Sequence, residues 1–200
     1  MHSVIALAIA RAIALAIVHT RACLLVMLLG AILAPTSHAQ SAAEALEVRI
    51  KAAFVCKFAG YVEWPAQVFA RPDSPIVIGV VGPDSVIDEL GRTATGLSAD
   101  GRPLVVRKFQ RGDPPASAHV VYVANSEESR LPETLAALKN QPVLVVTESN
   151  HALALGSMIN FVVVDDKVRF DIALQAAEAS RLRISARLLG VARTLTGKPS

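Results

Sequence analysis

Residues 40–200 predict an α/β fold: a single domain with a mainly parallel sheet flanked by helices, then a C-terminal β-hairpin and a closing helix. Three observations point there. The runs "IVIGVV", "HVVYV" and "PVLVV" are continuously apolar, as strands covered on both faces are. Helix-forming segments separate them, and strands alternating with helices give a parallel sheet. The stretch "MINFVVVDDKVRFDIA" brackets two adjacent aspartates with apolar positions, the pattern of a hairpin.

From Ala42 to Glu63 good helix formers dominate and only Gly60 interrupts them, so a helix ending before Pro65 is expected. At about 100° per residue, Leu46, Ile50, Ala53, Phe54 and Tyr61 share one face, with Phe58 at its edge. Lys57 falls inside that face. It is either a snorkelling lysine whose stem covers apolar surface or a charge pointing into a pocket or interface. Glu63, Trp64 and Pro65 end the helix at an edge, where a tryptophan serves as a partner anchor or as a capped core residue.

"SPIVIGVVGPDS" delivers a buried strand into a helix covering roughly Pro83 to Arg92. "RPLVVRKF" is a weaker strand, "HVVYVAN" a buried one, "LPETLAALKN" a short helix and "QPVLVVTE" another buried strand. In the hairpin, a two-residue loop at Asp165 and Asp166 sets Val164 against Lys167, Val163 against Val168, Phe161 against Phe170 and Ile159 against Ile172. One face is then wholly apolar. The other gathers Asn160, Asp171 and Arg169, which is either a solvated face or a polar binding patch centred on Arg169. A final helix from about Leu174 to Leu195 collects Leu182, Leu188, Leu189, Ala192 and Leu195, with Arg183 and Arg187 on the opposite side.

Residues 1–39 carry no acid, and an apolar core "ACLLVMLLGAILA" behind Arg21 leads to "SHAQ". This reads as an export signal, cleaved near Ala39/Gln40 and leaving a periplasmic chain. The alternative is an uncleaved anchor, since Val4 to Ala34 is long enough to cross a bilayer. Cleavage removes both leader arginines, so the basic residues fall from 20 to 18 against 17 acidic ones, and the basic balance that suits nucleic acid is gone. Cys56 is then the sole thiol, read as a buried small hydrophobe or as a redox-active or intermolecular group. His119 and His151 sit in no metal-binding spacing, and no nucleophile elbow or base-and-acid set accompanies the serines. No cofactor, metal site or catalytic residue is expected.

The segments "KAAFVCKFAGYVEWP", "IVIGVVGPD", "GRPLVVRKF" and "GSMINFVVVDDKVRFDIALQAAEASRLRISARLLGVAR" together resemble the YfiR family of secreted bacterial proteins, over essentially all of residues 40–200. The resemblance implies a non-catalytic periplasmic repressor that binds the sensor part of a membrane diguanylate cyclase and keeps cyclic-di-GMP synthesis low. It also implies sequestration by an outer-membrane lipoprotein, and a homodimer is a further possible assembly. Ala118 precedes His119 where many relatives carry cysteine, so disulfide control is not carried over. The binding residues expected are Asn160, Arg169, Asp171, Lys57, Glu63 and Trp64. A small-ligand sensor module built on Asn160, Arg169 and Asp171 is the alternative.

Overall fold

The computed structural model describes residues 36–110, 112–114 and 117–197. The expected leader, with Cys23, lies outside the described residues as far as residue 35. The expected cleavage point, Ala39/Gln40, falls within helix α1 (Thr36–Phe58). The chain divides into two compact units, Met1–Ala45 and Leu46–Ser200. The described part of the first is the start of α1, and the second is the α/β body.

In chain order the body continues with β1 (Val62–Glu63), β2 (Ile76–Val81), α2 (Asp84–Ala94), β3 (Ser98–Ala99), β4 (Arg102–Lys108) and β5 (Val120–Val123). There follow α3 (Leu131–Leu138), β6 (Leu144–Thr147), β7 (Ile159–Val164), β8 (Lys167–Ala173), α4 (Leu174–Ala179), β9 (Arg183–Ile184), α5 (Ala186–Leu189) and β10 (Thr194–Thr196). The main sheet has the order β10-β8-β7-β6-β5-β2-β4-β3, and β1 pairs with β9 in a separate ribbon. Pairings from β4 through β2, β5 and β6 to β7 are parallel. This is the α/β architecture the apolar runs predict.

Two cores flank the sheet. On one face α1 and α2 place Ala52, Val55, Phe58, Val86 and Leu90 against Ile78, Val120, Val146 and Phe161. On the other, Leu131, Leu135 and Leu138 of α3 cover Val121, Val123 and Val145. The glycine inside "IVIGVV" has a packing reason: a Cβ on Gly79 would stand 3.0 Å from the Phe109 ring, which lies directly over the strand there.

The hairpin has the expected register, from Ile159↔Ile172 to Val164↔Lys167. Asp165 and Asp166 adopt φ of 50° and 56°, the left-handed pair a tight two-residue hairpin loop requires. Two expectations are corrected. Helix α1 stops at Phe58, because the chain turns at Gly60 and Tyr61 and Val62–Glu63 pairs with β9. Its buried stripe is Ala52, Val55, Cys56 and Phe58, continued by Ala59 in the turn that follows, so Leu46 and Ile50 are exposed, and Lys57 is exposed beside the stripe rather than within it. The continuous closing helix is instead split into α4 and α5. Arg181 takes φ of 60°, β9 intervenes, and the Ser185 hydroxyl restarts the helix by accepting the Leu188 N–H.

Cys56 is buried, and burial pushes its thiol pKa up to about 11. At neutral pH it is therefore almost wholly protonated, and a thiolate is needed for reaction. A disulfide reagent is expected to label Cys56 in denaturant within minutes and to leave the native protein unlabelled on that timescale. Rapid native labelling would contradict this environment.

Candidate functional site

The last turns of α1, the outer half of β8 and α5 enclose a groove of about 480 Å³. Phe54 and Phe58 reach it from the same helix face, being four residues apart. Their rings pack on Phe170 with centroids 5.5 Å and 5.0 Å away, so the floor is an aromatic cluster continuous with the core. Phe58 is fully buried, whereas Phe54 and Tyr61 are half-buried and offer ring surface to an occupant.

Three cations border this groove: Lys57 from α1, Arg187 from α5 and, at its strand edge, Arg169 of β8, which alternates with Phe170 and so springs from the sheet face that carries Asn160 and Asp171. All three are exposed, and none has an ion pair or hydrogen bond among the described residues. Most other described cations are paired, for example Arg49 and Arg92 with Glu89, and Lys108 with Asp84. An aromatic floor lined by unpaired positive charge suits an apolar or aromatic side chain flanked by carboxylates. The floor supplies burial, and guanidinium groups supply directional bonds to acid groups.

A buried ion-pair network fixes α1. Lys51, 7% exposed, pairs with Glu47 one turn earlier at 2.5 Å and with Glu148 after β6. Glu148 also accepts the Tyr122 hydroxyl at 3.0 Å and the Asn125 amide at 2.7 Å. Burial alone lowers the Lys51 pKa, but the bonds and charges of Glu148 and Glu47 outweigh it and raise the value. Burial, then the Glu148 charge, drives the Tyr122 pKa well above its ordinary range. The network ties α1 to the carboxyl ends of β5 and β6, and so sets where Phe54 and Lys57 stand.

The structure separates the expected site residues. Lys57 and Arg169 share the groove. Asn160 and Asp171 face each other across the hairpin and line a different, shallow hollow beside His151 and Thr196. Both are internally engaged. Asp171 holds Arg193 through both carboxylate oxygens, one bond being 2.8 Å, and Asn160 Oδ1 accepts the Thr147 hydroxyl at 2.7 Å. Glu63 is exposed and 3.9 Å from Arg183. Trp64 is half-buried and donates its indole N–H to the His119 carbonyl at 3.3 Å.

Sequence reasoning placed Arg187 on a solvated helix face and missed Arg193, Lys51 and Glu148. Serine is a favoured helix N-cap, so Ser185 ahead of "ARLL" is the local signal that a short helix restarts there and carries Arg187. Among the described residues, no group of three or more histidine, cysteine or acidic side chains is placed to hold a metal, and no helix is long and apolar enough to cross a membrane.

Residues 48–193 match the family model described as YfiR/HmsC-like. No curated protein matches the chain. Among solved structures, the crystal structure of a conserved domain protein from Vibrio cholerae O1 biovar El Tor str. N16961 is similar at 14% identity with a TM-score of 0.47. The similarity covers 62% of this chain and 56% of that one, so the chain spans little more than half the length of that protein.

Proposed function

The chain belongs to the YfiR/HmsC-like family, and on that premise we propose that it is a non-catalytic periplasmic regulator of diguanylate cyclase signalling. It binds the periplasmic part of an inner-membrane diguanylate cyclase and represses cyclic-di-GMP synthesis. The observation that supports docking is the groove bordered by Lys57, Arg169 and Arg187, with the rings of Phe54 and Tyr61 partly open: three unpaired cations beside accessible aromatic surface. Such a surface is complementary to an acidic, aromatic-bearing segment, and large buried anchors dominate binding energy at interfaces. An outer-membrane lipoprotein that releases the cyclase would do so by occupying the same groove.

The small-ligand alternative rests on the hollow of Asn160 and Asp171. Arg193 and Thr147 already engage the groups that would recognise a polar ligand there, which favours the docking reading.

Deleting the gene in cells that carry the cognate cyclase is expected to raise the cyclic-di-GMP pool several-fold, and restoring it in trans to return the pool to its starting level. A pool unchanged by deletion contradicts the proposal.

A further inference from the structure

The segment 64–75, between β1 and β2, is held to the body at two places, by contacts to His119 and by bonds from Arg102. The Trp64 indole N–H donates to the His119 carbonyl, and the Phe69 ring lies on the imidazole with centroids 4.7 Å apart and planes 12° from parallel. Trp64 meets the same imidazole edge-on at 6.3 Å. Arg102, from β4, completes the stack. Its guanidinium sits 3.7 Å from the Phe69 centroid and donates to the carbonyls of Arg71 at 3.0 Å and Ser74 at 2.9 Å.

His119 is 9% exposed, and its Nδ1 accepts the Val77 N–H at 3.1 Å. An imidazole that accepts at Nδ1 is neutral, since a proton there would confront the amide hydrogen of Val77. The segment also shares a support with the groove. Trp64 directly follows β1, which pairs with β9 through Val62↔Ile184 and Glu63↔Arg183. The Ser185 amide then donates to the Tyr61 carbonyl at 2.9 Å, and Ser185 caps α5, which carries Arg187.

We propose that His119 is the pin of a pH-sensitive strap: protonation of its imidazole in mild acid frees residues 64–75 and loosens the α5 wall of the groove. The importance of that wall rests on the docking reading; the release of the strap does not.

The surrounding charges favour release. Arg102 is the charged group acting on the ring from β4. The strap contributes Arg71 and Asp73, an exposed pair bonded to each other at 3.2 Å. The flanking strands bring no ionisable side chain, since β2 reads "IVIGVV" and β6 "LVVT". Burial lowers the His119 pKa below its ordinary 6.5; a hydrogen bond to the Val68 backbone opposes this and Arg102 reinforces it. The released state therefore binds protons more readily than the closed one. The strap is fully held above about pH 6.5 and is lost progressively as pH falls from there through the lowered value.

Trp64 is the chain's only tryptophan, so its emission reports on the strap without labelling. The test follows the purified chain by fluorescence, histidine ring NMR and amide exchange from about pH 7.5 to about pH 4.5. A red shift of Trp64 emission and faster exchange at Val77 and Leu188, by about tenfold after correction for intrinsic rates, are expected to share the midpoint of the His119 ring titration. His119→Asn places an uncharged carbonyl acceptor near Val77 and should abolish the transition. Ring titration with unchanged Trp64 emission and Val77 exchange overturns the proposal, and so does strap release that leaves Leu188 protected. If the variant fails to fold, the coincidence of midpoints in the unmodified chain decides.

Discussion

Reversing the groove cations together, as Lys57→Glu, Arg169→Glu and Arg187→Glu, is expected to leave the protein folded and to abolish repression, with cyclic-di-GMP rising to the level of the deletion strain. The three side chains are exposed and free of internal bonds among the described residues, so their replacement breaks nothing in the native state. Surface changes of this kind usually shift stability by within about 0.5 kcal/mol each. Against an acidic partner the effect is large, because like charges brought together across an interface cost several kcal/mol. A loss of affinity of at least about 100-fold follows, equivalent to roughly 2.8 kcal/mol. Single reversals should give graded losses, and thermal unfolding monitored by circular dichroism confirms the fold. Repression at wild-type strength by the folded triple variant contradicts the assignment of the groove.

Lys51→Met is expected to destabilise the domain by about 3–5 kcal/mol, since it leaves the Glu148 carboxylate poorly exposed and without its cation. Against a total stability of about 5–15 kcal/mol, this is a large fraction. Adding Glu148→Gln should recover part of the loss by removing the stranded charge while retaining an acceptor for Tyr122 and Asn125. Because the folded pKa of Lys51 lies above the ordinary 10.5, the stabilisation is fully present below that value and is lost only as pH rises through the folded one. The penalty should therefore be constant across neutral pH. Urea unfolding of the unmodified chain and the two variants checks it, and a cost for Lys51→Met below about 1 kcal/mol contradicts a buried, coupled pair.

The hairpin was legible in the sequence because only one register puts Ile159, Phe161, Phe170 and Ile172 on a common face, and slipping by one residue would bury Asn160 against Ile172. The central strands were legible for a similar reason: continuous apolar runs have nowhere to go except between two layers. The rotation of α1 was not. Its sequence is apolar on more than one side, and packing chose the side of Ala52, Val55, Cys56 and Phe58 over that of Leu46 and Ile50. The break at Ser180 to Ser185 was obscured because "LQAAEASRLRISARLL" is rich in helix formers. Pairing of Arg183–Ile184 with Val62–Glu63, from the far end of the chain, overrides that propensity. Lys51 and Glu148 are 97 residues apart, so no local spacing pairs them. The groove inherits these difficulties: Lys57 and Arg169 were identifiable singly, while Arg187 joins them only through the break.

Site-specific photocrosslinking in living cells tests most directly whether the chain acts by docking through this groove. A photoreactive residue is placed at Tyr61, on the groove, and in a separate strain at Val105, an exposed position on β4. The account predicts that the Tyr61 probe joins the chain to the periplasmic part of a membrane diguanylate cyclase, that the Val105 probe does not, and that the triple charge reversal removes the product. Absence of that product from Tyr61, in cells where deletion of the gene changes cyclic-di-GMP, would contradict it.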